Sequence, residues 1–372
     1  MRVLIAEQSL GERRGPQLFT RDVALGLLRR GHSPIVYSTA LGEIAGELRD
    51  LTIPVVDDLE AIGAPPDVIH GHRHIDTLSA LLHFRGVPGV VFCHSPYEWE
   101  LFLVLPSVMR YVAVDSACLD RMLYGFGVPE ERARTLLNFV DLERFRPRAP
   151  LPRAPQRALV FGHYARENPA VAAVQEACAR AGIELDLVGG GASAPTREPE
   201  RLLPGYDLVF SRGRAAIEAM AVGAAVVPMT RRLGPLVTTE NFDRLRPLNF
   251  GVRATDQPPS AGFCAEQIAR YDPADAAEVS RRIRSQAGVE SALDELLAIY
   301  GEAIEEYARK PPDEHAELRA AARYLRIVSV RLHSDFRIRA ERNRLRAKLE
   351  ELRAQRRVAA PLRWLRRLAG RS

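Results

Sequence analysis

Residues 213–223 read GRAAIEAMAVG, and this stretch decides the fold. It follows an apolar run, Tyr206–Phe210, that reads as a strand. A strand, a glycine turn and a helix leave unpaired backbone N–H groups at the helix start, with the helix dipole behind them. Such an end attracts phosphate. Arg214 adds a cation there. Glu218 lies about one turn into the helix, where a carboxylate accepts from sugar hydroxyls at other nucleotide sites. The same residues also allow a plainer reading, a helix with a packed Ala/Met face and a surface glutamate.

The surrounding chain repeats the pattern. Ahead of the stretch lie an apolar strand Ala158–Phe161, a helix Pro169–Ala181 and a strand Glu184–Val188; after it comes a strand Ala225–Met229. The first half alternates in the same way. Arg2–Ala6 is a strand, and Gln17–Arg30 is a helix with Phe19, Val23 and Leu27 on one face. Ser33–Ser38, Asp67–His70, Val90–Cys93, Tyr111–Val114 and Thr135–Leu137 are further strands. This alternation predicts an α/β protein with parallel sheets covered on both faces. Residues 147–156, PRAPLPRAPQ, read as a linker. The expected organisation is a Rossmann-like domain over 1–146, the linker over 147–156, a second Rossmann-like domain over 157–310, and a basic helical tail over 311–372. Two such domains face a central cleft, where ligands meet the carboxyl ends of the strands.

Charge is divided unevenly. The chain carries +5 overall, but residues 311–372 hold 17 Lys and Arg against 7 Asp and Glu, so the body is mildly acidic. The basicity concerns the tail's partners and does not make the chain a nucleic-acid-binding protein. Residues 313–359 lack proline and glycine, and Leu345, Leu349 and Leu352 form a short seam of coiled-coil spacing. Residues 361–372, PLRWLRRLAGRS, are basic and amphipathic. They suit an anionic membrane surface, a homo-oligomer contact, another partner, or solvent.

No run approaches the length of a membrane span, and the first residues lack the long apolar region of a secretory signal. Cys93, Cys118, Cys178 and Cys264 are scattered, without C-x-x-C spacing, as in a reducing compartment. The expected location is cytoplasmic, with the tail able to hold the chain peripherally at the inner face of the membrane. No G-x-G-x-x-G follows the first strand, which disfavours a nicotinamide or flavin site. His70, His72 and His74 alternate; on a strand they would share a face and suggest zinc.

Several segments together resemble the GT-B glycosyltransferases, in particular the retaining enzymes of family 4. These are LLRRGH at 27–32, DVIHGH at 67–72, VVFCHS at 90–95, GVPEERARTLLNFVDLERF at 127–145 and IEAMAVG at 217–223. The resemblance implies a nucleoside diphosphate sugar held mainly by the second domain, and a glycan, lipid-linked or other hydroxyl acceptor held mainly by the first. It implies retention of configuration and no metal or other cofactor; helix N-termini and cationic side chains then meet the leaving-group charge. Surface polysaccharide or glycan synthesis is the setting it suggests. It places Glu218 on the ribose, Gly213 and Arg214 at the diphosphate, Arg212 as an auxiliary cation, His94 beside the sugar and Gly15 on the first-domain wall. Gly189–Gly191 stand where relatives carry a glycine-rich turn.

The chain departs from that pattern where the donor is held. His163 and Asn168 stand where relatives carry the diphosphate-binding arginine and lysine, and Phe210 stands where they carry the first of two glutamates. Arg166, Arg212 and Arg214 are the candidates to replace the lost cations. The departures leave two other readings open, a non-catalytic binding or scaffold protein of the same fold and a sugar-nucleotide epimerase.

Overall fold

The structure, a computed structural model, describes residues 1–369 apart from Arg73, 98–100, 163–167 and 190–195, with side chains as far as Glu350. It divides into two compact units, Met1–Asp313 and Glu314–Ser372.

The first unit holds two parallel sheets. In the first sheet the strands are β1 (Arg2–Ala6), β2 (Ser33–Tyr37), β3 (Val55–Val56), β4 (Val68–Gly71), β5 (Gly89–Cys93), β6 (Val108–Ala113) and β7 (Ala133–Thr135). Their order is β3-β2-β1-β4-β5-β6-β7. Between them run α1 (Gly15–Arg29), α2 (Glu43–Asp50), α3 (His74–His83) and α4 (Ser116–Asp120). The second sheet contains β8 (Arg157–Phe161), β9 (Glu184–Val188), β10 (Leu208–Ser211) and β11 (Ala225–Pro228), in the order β11-β10-β8-β9. Its helices are α5 (Pro169–Ala181), α6 (Pro199–Leu202), α7 (Gly213–Val222), α8 (Phe242–Leu245), α9 (Ala261–Ala269) and α10 (Pro273–Gln286). The strands of the two sheets fall on opposite sides of the proline-rich segment 147–156.

In both sheets the chain reverses its direction of growth once, between β1 and β4 and between β8 and β10. The crevice outside the carboxyl ends of such strand pairs is where open α/β sheets bind ligands. At the second switch point the two strands are tied by Ser211, whose hydroxyl donates to the Phe161 carbonyl at 2.7 Å.

The helix α11 (Val289–Arg309) follows the second domain in sequence but lies against the first sheet. Its buried face, including Leu293, Leu296, Ile299 and Tyr300, supplies the apolar cover. Gly26 of α1 permits the close approach, because a Cβ there would lie 2.3 Å from Leu293 Cδ1. Arg110, almost buried in β6, then meets Glu302 at 3.0 Å and Glu306 at 2.5 Å. Sequence order alone gives no sign of this return, which needs the first sheet as its partner.

The second unit is one helix, α12 (Glu314–Ala369), which continues through Pro361. It exposes Leu318, Leu325, Leu332, Leu345 and Leu349. Among the described residues, no helix is long and apolar enough to cross a membrane.

Two glycine turns close against each other at the carboxyl ends of β8 and β9. Gly162 has φ +142° and Gly189 φ +131°. A Cβ on Gly189 would lie 2.1 Å from the Gly162 carbonyl oxygen. Gly189→Ala therefore combines a disfavoured backbone conformation with a backbone clash, and a loss of about 2–4 kcal/mol is expected. Thermal unfolding should show a Tm lowered by roughly 5–10 °C; an unchanged Tm would show that the turn accommodates a side chain.

Candidate functional site

Two helices of at least ten residues begin near the second switch point, and their N-termini differ. Helix α5 is closed by its own N-cap: Asn168 Oδ1 accepts from the Ala170 N–H at 3.0 Å, and its Nδ2 donates to the Thr230 carbonyl at 2.9 Å. Asn168, which stands where the family resemblance expects a diphosphate-binding lysine, thus makes the bonds of a buried cap. Helix α7 has no side-chain cap and no acidic residue in its first turn. Its first residue, Gly213, has φ +57°, a left-handed conformation that glycine adopts without strain. The Gly213 N–H reaches only the Phe250 carbonyl, at 3.5 Å. This end of the helix is electropositive and partly open.

The two flanking arginines have different surroundings. Arg212, the N-cap of α7, donates from Nη1 to the Tyr97 hydroxyl at 3.2 Å and meets no carboxylate among the described residues. Tyr97 belongs to the first domain, three residues beyond His94, so this bond crosses the cleft. Arg214 is held by two carboxylates. Its Nε donates to Glu218 Oε1 at 2.7 Å, and its Nη2 donates to Asp22 Oδ2 of α1. Asp22 Oδ1 in turn accepts from Arg21 Nε at 2.8 Å and Nη2 at 2.6 Å. Arg21 continues to Glu47 Oε1 at 2.9 Å, and Glu47 Oε2 accepts from Arg13 Nη1 at 2.6 Å. The result is a line of alternating charge, Arg13–Glu47–Arg21–Asp22–Arg214–Glu218, from α2 through α1 into α7.

The titration of these groups follows from burial set against pairing. Burial acts to raise the Asp22 carboxyl, but the guanidiniums of Arg214 and Arg21 overcome it and hold it below the usual carboxylate range. Burial lowers the Arg214 guanidinium less than Asp22 and Glu218 raise it, so it stays charged. At Glu218 burial wins over Arg214, and its carboxyl lies above its ordinary value. Glu218 uses Oε1 for Arg214, and among the described residues no donor reaches Oε2.

On the first domain, His70 and His72 flank the end of β4, and His94 follows β5. His72 Nδ1 lies 2.7 Å from His94 Nε2, a geometry in which one ring donates and the other accepts. Phe19 packs edge-on against both rings, at 5.5 and 5.0 Å. His70 is fully buried, stacks on Phe92 at 4.2 Å and pairs through Nδ1 with the Tyr300 hydroxyl. Burial holds it well below its ordinary pKa, hence neutral. His74 opens α3 and does not share a strand with the other two.

The structure thus brings Arg212, Gly213, Arg214 and Glu218 together at one helix start. His94 stands across the cleft on the segment that contributes Tyr97. Gly15 is the exposed first residue of α1, with open space where a Cβ would project. Phe210 is fully buried in the second sheet, so no carboxylate faces the cleft from that position. Arg166, His163, Gly190 and Gly191 lie outside the described residues. Asp22 and Tyr97 are the site residues that sequence reasoning missed. A signal for Asp22 was present: Arg21-Asp22 interrupts the otherwise apolar inner face of FTRDVALGLL at 19–28.

A model described as Glycosyltransferase Family 4 matches residues 13–144. No curated protein sequence matches this one closely enough to count as a relative. Solved structures are similar over most of the chain. A glycosyltransferase from Rickettsia africae ESF-5 superposes with a TM-score of 0.59 at 14% identity, covering 82% of this chain and 98% of that one. The Anabaena protein Alr3699/HepE, in complex with UDP and glucose, gives 0.57 at 15% identity, covering 80% and 98%. Sucrose-phosphate synthase from Thermosynechococcus elongatus gives 0.56 at 14% identity, covering 81% and 98%. At this identity the likeness carries the fold. The chain is therefore a protein of the GT-B glycosyltransferase fold, two Rossmann-like sheets with a helical extension, and its first domain is similar to Glycosyltransferase Family 4.

Proposed function

We propose that the chain is a glycosyltransferase that moves a sugar from a nucleoside diphosphate to a hydroxyl acceptor. The observation that carries this reading is the uncapped N-terminus of α7 at the second switch point, with Arg212 beside it. That end offers backbone donors, a helix dipole and a cation that no carboxylate among the described residues neutralises, the set a diphosphate needs. Arg214 already has two carboxylates, so its role is chiefly to hold α7 against α1 and to orient Glu218. Glu218 Oε2 is the atom that receives a ribose hydroxyl. His94 stands beside the transferred sugar, and Gly15 shapes the first-domain wall. Arg166 remains a candidate donor contact.

In the reaction the bond between the anomeric carbon and the β-phosphate oxygen breaks, and a bond from the acceptor oxygen to the same carbon forms. The acceptor proton leaves with the released phosphate. Departure and attack on one face retain configuration, in keeping with the family resemblance. The neighbouring structure of HepE contains UDP-glucose, which supports a nucleotide-sugar donor. Glycan, lipid-linked and other hydroxyl acceptors fit the reading equally. The tail would serve peripheral attachment at the cytoplasmic face of a membrane, or self-association.

Positive charge at the leaving group comes from Arg212 and the helix, while Asp22, Glu47 and Glu218 are occupied by arginines. A divalent ion is thus not needed to bind the diphosphate. Thermal shift across UDP, GDP and ADP and their sugars should single out one nucleotide family, because a ligand bound only by the folded state raises apparent stability. The shift and the accompanying transfer or slow donor hydrolysis should be unchanged in EDTA. Loss of binding in EDTA would refute metal independence. Binding with neither transfer nor hydrolysis would favour a non-catalytic protein.

A further inference from the structure

A polar cavity on the second domain is lined by none of the residues at the start of α7. It has a volume of about 240 Å³ and lies between residues 235–257 and α9. Its base is rigid. Leu233 and Gln257 exchange backbone hydrogen bonds at 2.9 and 3.0 Å, and Gly234 packs so tightly that a Cβ would lie 2.2 Å from the Ala254 carbonyl. Three arginines line the cavity, Arg244, Arg253 and Arg270, against one carboxylate, Asp256.

These charges are incompletely balanced. Arg244 is exposed and, among the described residues, meets no carboxylate and makes no side-chain hydrogen bond. Arg270 comes only within 3.8 Å of the exposed Glu240. Arg253 is paired with Asp120 of the first domain at 2.6 Å. Asp256 Oδ1 is occupied by the Gln257 side-chain amide at 3.1 Å.

Gln267 adds an oriented polar group to the lining. It lines the same cavity and is 4% exposed. Its Oε1 accepts from the Leu236 N–H at 2.9 Å, and that backbone donor fixes the amide's orientation. Nε2 is therefore a donor, and among the described residues nothing accepts from it. An amide donor held in a fixed orientation in the cavity lining, below a rim of guanidiniums, suits an acceptor with negative charge. Phe263 and Pro235 complete the lining with apolar surface.

The geometry points to a binding site for a small phosphomonoester, its phosphate on Arg244, Arg270 and Gln267 Nε2 and its organic part against Phe263. A dianion suits two guanidiniums and an amide donor better than a carboxylate does, because its oxygens accept several charge-assisted bonds at once. The cavity, at about 240 Å³, matches a compact phosphorylated molecule and falls below the usual range for larger ligands. This site stands independently of the donor site proposed above.

Calorimetric titration of glucose 6-phosphate into the full chain, at constant ionic strength, tests it. Saturable binding is expected, with unchanged affinity in Arg212→Ala, which alters only the α7 site. Arg244→Ala should weaken binding about tenfold or more, since it removes a charge-assisted contact. Gln267→Glu should abolish it, because the carboxylate still accepts from Leu236 but repels phosphate. Glucose should not bind, and glucuronate should bind more weakly than glucose 6-phosphate. Absence of saturable binding, equal affinity in Arg244→Ala, equal affinity for glucuronate, or loss in Arg212→Ala would each overturn the proposal. Arg244 is exposed and unpaired, so its variant remains decisive if Gln267→Glu fails to fold.

Discussion

Asp22→Ala is expected to lower the stability of the first unit by about 3 kcal/mol, because removing one member of a buried ionic set leaves the others under-neutralised. Asp22 lies between Arg21 and Arg214, and all three side chains are at most 10% exposed. Without it, Arg21 keeps Glu47 and Arg214 keeps Glu218, but the link between α1 and α7 is gone. A fall in Tm of roughly 5–10 °C should follow. Asp22→Asn, which keeps the shape and one acceptor, should show a smaller loss.

The pH dependence separates charge from shape. The folded Asp22 pKa is depressed, so its contribution is complete above the ordinary carboxylate value of about 4 and is lost as pH falls through the folded value. The stability gap between the native chain and Asp22→Asn should therefore narrow below about pH 4. A gap independent of pH would show that the carboxylate charge contributes nothing.

Arg212→Ala is expected to reduce transfer efficiency about 100-fold, with little change in stability. The magnitude is that of removing one preorganised donor from developing leaving-group charge. Stability is spared because Arg212 makes no capping bond to α7 and, among the described residues, no ion pair; its side chain there bonds the Tyr97 hydroxyl. Arg212→Lys should recover part of the loss, since a point charge replaces a fork. Arg214→Ala behaves differently. It leaves Asp22 and Glu218 buried without their shared partner, so it should destabilise the chain as well as impair it. Steady-state kinetics with thermal unfolding on the same samples distinguish the two. Full activity in Arg212→Ala would remove this residue from the diphosphate site.

The alternation of apolar strands and amphipathic helices was legible in the sequence because both periodicities are local. Helix Pro169–Ala181 and strand Glu184–Val188 fall where the pattern places them, and the other strand edges differ by a few residues at most. The two-residue strand β3 escaped because Val55-Val56 is too short to show a period. The return of α11 to the first sheet escaped because an amphipathic pattern marks a buried face without naming the sheet it covers. At the site, the turn at Gly213 was legible from glycine and the strand before it. The different surroundings of Arg212 and Arg214 were not, because two arginines two residues apart look alike until Asp22 arrives from 192 positions away. The buried cap made by Asn168 was hidden for a similar reason, since it depends on Thr230.

The account rests on where the leaving diphosphate sits. A crystal structure of the chain with UDP, or with whichever nucleotide stabilises it most, decides this directly. The expected density places the β-phosphate within hydrogen-bonding distance of the first backbone N–H groups of α7 and of the Arg212 guanidinium, with the ribose against Glu218. A diphosphate bound elsewhere, with the start of α7 left in contact only with protein, would contradict it.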